Sequence, residues 1–219
     1  MPLYQTIHTL QAATIGIWRI EESVDDLKRG LPPNLWQQNL YRSITSIRRQ
    51  KEWLATRALV RQLIPNEESG EIVYNSFGKP ILHQNTRQLS ISHSHHFAAV
   101  IVHSHKALGI DIEPIHPRIL RLQHKFLSEK EATQIPQNDL FMLTLYWSAK
   151  ETLYKLYSKK ELRFKENLLI HRHYKIEDST IAAEGYLEAS ICKDDFQWNV
   201  KVYYQQIEDN ILTYTFENV

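Results

Sequence analysis

Apolar and polar positions alternate along this chain in a way that predicts short strands and two long helices. The first long helix is predicted over residues 46–64, where Ile47, Leu54, Ala55, Ala58, Leu59 and Leu63 fall at helical spacing and Pro65 is the stop. The second is predicted over residues 138–158. Asn138 and Asp139 are good N-cap residues there, and residues 140–149 carry no formal charge. A helix apolar on nearly every side is normally buried. Shorter helices are predicted at 21–31, closed by Gly30 and the Pro32-Pro33 pair, and at 128–135, which opens with the capping box of Ser128 and Glu131. Strands are predicted at 16–20, 71–75, 80–82, 88–92, 97–103 and 107–113, and four more at 168–176, 182–191, 197–204 and 211–216. A loop is expected at 66–69 and a turn at 76–80. The order strand, helix, strands thus occurs twice, which predicts an α+β fold of two similar halves, residues 1–108 and 109–219.

Charge changes this picture in four places. Lys150, Glu151 and Lys155 follow the charge-free run of the second helix, and burying such groups without partners costs several kcal/mol, as an order of magnitude. Glu151 and Lys155 are one turn apart and share a face, so they form either a routine surface pair or part of a site where charge is wanted. Asp111 and Glu113 alternate on the strand at 107–113, which puts both on one face about 6.6 Å apart. Adjacent carboxylates repel unless a cation lies between them, and carboxylate oxygens with spare water are what Mg²⁺ selects. Lys79, between Gly78 and Pro80 at a turn, is a point charge suited to a phosphate. Between Arg42 and Arg61 six basic residues face the single acid Glu52, a local imbalance that reads as a solvated face or as an anion site. The histidines cluster at His93, His95, His96, His103 and His105 in a serine-rich frame that includes Ser92. Such a cluster suits a metal, a phosphate-binding Ser-His loop, or plain exposure.

Composition removes several function classes. The 219 residues are 42% hydrophobic and 23% charged, ordinary for a globular chain with its own core. A net charge of +1 gives no global field toward nucleic acid or an anionic membrane. Cys192 is the one cysteine, so neither an intrachain disulfide nor a cysteine zinc site can form. Asp194 and Asp195 beside it argue against an activated thiolate. The run at 97–102 is too short to span a bilayer, and no basic residue precedes Arg19, so the expectation is a soluble cytoplasmic protein. Gly-rich phosphate loops, a Gly-x-Ser-x-Gly elbow and His-Glu-x-x-His are missing from the sequence.

Taken jointly, five stretches resemble the 4′-phosphopantetheinyl transferase superfamily, in its large monomeric type that activates synthetase carrier domains. They are Arg57-Ala58-Leu59-Val60-Arg61, Gly78-Lys79-Pro80, Ile91-Ser92-His93-Ser94, Gly109-Ile110-Asp111-Ile112-Glu113, and Trp147-Ser148-Ala149-Lys150-Glu151 with Lys155. Phe126-Leu127-Ser128 with Glu131 adds a weaker sixth. The specific pair is Gly-Ile-Asp and Trp-Ser-x-Lys-Glu-x-x-x-Lys, about 40 residues apart.

The resemblance implies two pseudo-twofold-related halves, each a small antiparallel sheet packed with a long helix, with the active site at their interface. It implies a monomer that moves phosphopantetheine from coenzyme A to a serine of an acyl or peptidyl carrier protein, with Mg²⁺, releasing 3′,5′-ADP. By position, Asp111, Glu113 and Glu151 are the implied metal ligands, Glu151 also the base, and Lys155 a phosphate-stabilising cation. Lys79, Ser92 and His93 are the implied contacts to coenzyme A phosphates, together with Arg49 and Arg57. Glu131 matches an additional acid that some members carry near the metal. The basic pair that the family has upstream of the first helix lacks a clean counterpart, and Arg42, Arg48 or Arg49 could stand in. Thr152 departs from the family's commoner alanine or serine, and the extra histidines depart from its pattern. Outside this family, the same residues suit a Mg²⁺-dependent phosphohydrolase or a non-enzymatic histidine-rich metal-binding module.

Overall fold

Strand β1 (Leu3–His8) pairs antiparallel with β2 (Thr14–Arg19) and opens the chain in a computed structural model that describes residues 3–64, 71–159, 161–176 and 183–217. The expected loop at 66–69, the stop at Pro65 and the first residue of the strand expected at 182–191 lie outside the described residues. Three short helices follow: α1 (Val24–Arg29), α2 (Pro33–Trp36) and α3 (Asn39–Arg42). The first is held by a capping box of Ser23 and Asp26, and Pro33 starts the second as well as ending the segment before it.

The long helix α4 (Ile47–Leu63) begins at the N-cap Ser46. Its buried side differs from the expected stripe. Ile47 is 68% exposed, while Glu52, Trp53, Thr56, Arg57 and Val60 join Leu54, Ala55 and Leu59 in the interior. The polar members are tolerated because each has partners: Thr56 donates to the Glu52 carbonyl at 2.7 Å, and those of Glu52 and Arg57 are described below.

Strands β3 (Ile72–Tyr74) and β4 (Pro80–Leu82) form a hairpin; β5 (Gln88–His93) and β6 (Phe97–His103) complete a four-stranded antiparallel sheet in the order β1-β2-β6-β5. The central β6 is buried along its whole length, as its run of apolar residues requires. Helix α4 packs on β2 and β6, and the core between them holds Trp18, Leu54, Leu59, Leu89, Ala98 and Val100.

The second sheet has five antiparallel strands in the order β7-β11-β10-β9-β8: β7 (Leu108–Pro114), β8 (Leu168–Lys175), β9 (Glu184–Lys193), β10 (Phe196–Ile207) and β11 (Asn210–Phe216). A 3₁₀ turn (Pro117–Arg121) and the short helices α5 (Gln123–Phe126) and α6 (Glu129–Ala132) lead to the long α7 (Leu140–Tyr157). Asp139 caps α7 by accepting from the Met142 N–H at 3.0 Å, and Ser158 ends it in the left-handed region at φ 60°. Helix α8 (Phe164–Asn167) precedes β8. Helix α7 lies on β7 and β11 over a core that includes Phe126, Leu143, Leu153, Leu187 and Val202.

The architecture is therefore α+β, with antiparallel sheets and one long helix on each of the two larger ones. The chain divides into two compact units, Met1–Asn75 with Pro80–His105, and Ser76–Lys79 with Lys106–Val219. Among the described residues no helix is long and apolar enough to cross a membrane.

Candidate active site

Gly109 decides how close α7 comes to β7. A Cβ at this position would run into the Thr152 carbonyl and come within 3.0 Å of the Leu156 backbone nitrogen, so strand and helix backbones nearly touch there. That contact brings the next strand residues beside one stripe of α7. Ser148, Glu151, Thr152 and Lys155 follow at spacings of three, four and seven and share a face.

Asp111 is 3% exposed. It takes the Lys155 ammonium on Oδ1 at 2.8 Å and the Ser148 hydroxyl on Oδ2 at 2.9 Å. Lys155 also donates to the Ile110 carbonyl at 3.0 Å. Ser148 meets the Thr213 hydroxyl at 2.9 Å, and Thr213 meets Thr152 at 2.6 Å, so a buried chain of hydroxyls backs the carboxylate. Thr152 thereby earns its place: its hydroxyl joins this network, which an alanine could not. Glu113 accepts from the Trp147 indole N–H at 3.2 Å.

The acids repel one another in a poorly solvated place. Burial, and then the charge of Asp111, push the Glu113 carboxyl up to about 7; the Trp147 hydrogen bond opposes the rise and Glu151 adds to it. Glu151 also rises to about 7, through burial and the Asp111 charge, with Lys155 pulling against them. Asp111, Glu113 and Glu151 thus form one electrostatic group on β7 and α7.

The donor chemistry of that group suits a hard cation. Its donors are all carboxylate oxygens, and burial and then the Asp111 charge raise two of the three to about 7. Mg²⁺ binds through one or two carboxylates and keeps water or phosphate in its remaining positions. Among the described residues no three or more His, Cys, Asp or Glu side chains are gathered closely enough to hold a metal ion as they stand.

Glu131 and Lys150 belong elsewhere. Lys150 is fully buried and gives its three N–H bonds to Glu131 at 2.8 Å, the Phe126 carbonyl at 2.6 Å and the Phe164 carbonyl at 3.0 Å. Glu131 also accepts from the Ser128 and Ile170 amides at 2.7 and 2.8 Å. The additional acid suggested by sequence is spent on an internal brace.

Lys79, from the turn at 76–79, donates to the Ser158 hydroxyl at 2.7 Å, at the C-terminal end of α7. Burial lowers its pKa, against the charge of Glu217. Gly78 holds φ 84°, the left-handed conformation that favours glycine, and this shapes the turn that delivers Lys79.

In the first unit, Glu52 is 3% exposed and bridges Arg48 at 3.1 Å and His93 Nδ1 at 3.4 Å. His93 is thus fixed by its Nδ1 side at the end of β5, one residue after the buried Ser92. Arg57 lies 3.6 Å over the Trp53 ring and reaches the Tyr74 hydroxyl at 3.4 Å; burial lowers its pKa. It lines a cavity of about 130 Å³ with Arg61, Glu71, Leu35, Val60 and Ile72. Arg49 is on the exposed side of α4. Of the remaining histidines, His103 accepts the His105 amide on Nδ1, which leaves Nε2 to donate to the Gln11 carbonyl at 3.0 Å. His95 and His96 pack edge to face.

Trp147, Ser148 and Thr213 are missed by the sequence reading. The first two sit inside the quoted motif, and the spacing of Ser148 to Lys155 was the available signal. Thr213 carries none, since only strand pairing with Asp111 brings it there.

No curated protein matches the chain. A family model, that of the 4′-phosphopantetheinyl transferase superfamily, matches residues 107–215. That stretch contains β7 and α7 whole, with the acids, Lys155 and the hydroxyl chain between them, and by it the chain belongs to the 4′-phosphopantetheinyl transferase superfamily.

Proposed function

We propose that this protein transfers 4′-phosphopantetheine from coenzyme A to a serine hydroxyl of an acyl or peptidyl carrier protein, with Mg²⁺, and releases 3′,5′-ADP. The observation that carries this reading is the set of Asp111, Glu113 and Glu151 on β7 and α7, with Lys155 bonded to Asp111, inside the family-matched stretch.

Asp111, Glu113 and Glu151 would hold Mg²⁺, which when bound supplies positive charge to the pyrophosphate oxygens. Glu151, on the same face of α7 as Lys155, is the carboxylate that would take the serine proton as the hydroxyl attacks phosphorus. The bond from that phosphorus to the 3′,5′-ADP oxygen breaks, and Lys155 steadies the charge of the phosphoryl group in transit. Asp111 and Ser148 hold Lys155 and the acid face in register. The same reading gives Lys79 of the second unit, and Arg49, Arg57, Ser92 and His93 of the first, to the phosphates of coenzyme A.

The test is incubation with coenzyme A, Mg²⁺ and an apo carrier protein, followed by mass spectrometry of the carrier. A gain of one phosphopantetheine supports the proposal. Release of free phosphate with an unchanged carrier refutes it in favour of hydrolysis.

A further inference from the structure

Trp147 joins the acid group to a buried brace that the proposed chemistry does not use. Its indole N–H donates to Glu113 Oε1 at 3.2 Å. The indole stacks on Phe164, with centroids 5.3 Å apart and planes inclined by 25°, and meets Phe126 edge-on at 5.3 Å and 62°. Phe164 in turn lies against Tyr154 at 5.6 Å. The backbone carbonyls of these same two phenylalanines are the ones that receive hydrogen bonds from Lys150. Lys150 is itself anchored on Glu131, so all three of its donors are used. The ring therefore cannot swing without breaking a stack, and an indole has only one donor to give. That donor fixes one oxygen of Glu113.

We infer that Trp147, clamped between Phe126 and Phe164, is a positioning residue that orients the Glu113 carboxylate toward a divalent cation, with Lys150 as the brace behind the clamp. This rests on the proposal that the acid group binds such a cation. Outer partners of this kind typically change metal affinity by about 10–100-fold.

Mn²⁺ binding to the full chain, followed by loss of the free-ion EPR signal, tests it without recourse to activity. Trp147→Phe keeps an aromatic ring in the clamp and removes the N–H. The expected result is Mn²⁺ binding about 10-fold weaker than wild type, with an unchanged far-ultraviolet circular dichroism spectrum. Trp147→Phe combined with Glu113→Gln is expected to bind no more weakly than Glu113→Gln alone. Phe164→Leu, which loosens the stack and spares the N–H, is expected to weaken binding in the same direction by a smaller factor. Wild-type affinity in Trp147→Phe, or a further full loss in the double variant, overturns the inference, as does a wild-type chain that binds no Mn²⁺. A wild-type chain that binds Mn²⁺ and leaves the apo carrier unmodified refutes the transferase reading and leaves the inference about Trp147 supported.

Discussion

Glu151 and Asp111 separate two kinds of carboxylate at the scale of single residues. Asp111 is tied down by Lys155 and Ser148, whereas burial and repulsion leave Glu151 near 7. Glu151→Gln removes the proposed base and a metal ligand together, so transfer is expected to fall by about 10²–10⁴-fold while thermal stability holds or rises. Near-normal turnover would remove Glu151 from the mechanism. Asp111→Ala is expected to abolish transfer as well, and to cost stability besides, since it takes the carboxylate partner from both Lys155 and Ser148 and leaves them the Ile110 carbonyl and the Thr213 hydroxyl; calorimetry beside the carrier assay separates the two losses. The sequence makes Asp111, Glu113, Glu151 and Lys155 legible because each obeys a local spacing rule on one strand or one helix. It hides the assignment of Lys150 and Glu131, because a buried ion pair between residues 19 positions apart leaves no periodic trace. It also hides the burial of Arg57, whose ring partner Trp53 is a turn away on the same helix and looks like a neighbour of no consequence.

Helices and strands were legible in proportion to their length and capping. Helix α7 runs within two residues of its predicted bounds because Asp139 caps it and no charge interrupts it. The capping box of Ser128 and Glu131 is present as read, although the helix it opens is a single turn. Strand β1 escaped notice: its outer residues face solvent and its alternation is blurred, with Leu3 and Tyr4 both exposed. Two consequences follow for packing. Gly109→Ala forces β7 off α7 against backbone atoms that cannot yield, so a loss at or above the usual overpacking cost of about 1–3 kcal/mol is expected, a fall in melting temperature on the order of 10 °C. Lys150→Met leaves Glu131 charged and buried with only its amide partners. A loss of about 3–5 kcal/mol in denaturant unfolding is expected, and an unchanged midpoint would mean that the pair contributes nothing.

For the molecule as a whole, the two raised carboxyls set a direction for stability against pH. Glu113 and Glu151 hold protons more tightly in the folded chain than their ordinary value of 4.5 allows. Their contribution is therefore fully present below about 4.5 and is lost as pH rises through about 7. Between pH 5 and 8, in chelator, the wild type is expected to lose melting temperature more steeply than Glu113→Gln/Glu151→Gln. At pH 8, Mg²⁺ is expected to restore the wild type and leave the double variant unmoved. Parallel pH slopes would refute this account.

The turn at 76–79 has a meaning for modularity. It belongs with the second unit, although β3 before it and β4 after it belong to the first. No single cut in the gene therefore separates the two units. A piece trimmed to the family match would carry Asp111, Glu113, Glu151 and Lys155 and still lack Lys79, the cation at the tail of its own main helix. Each unit is thus a poor cassette for shuffling between proteins, because the second borrows four residues from the middle of the first.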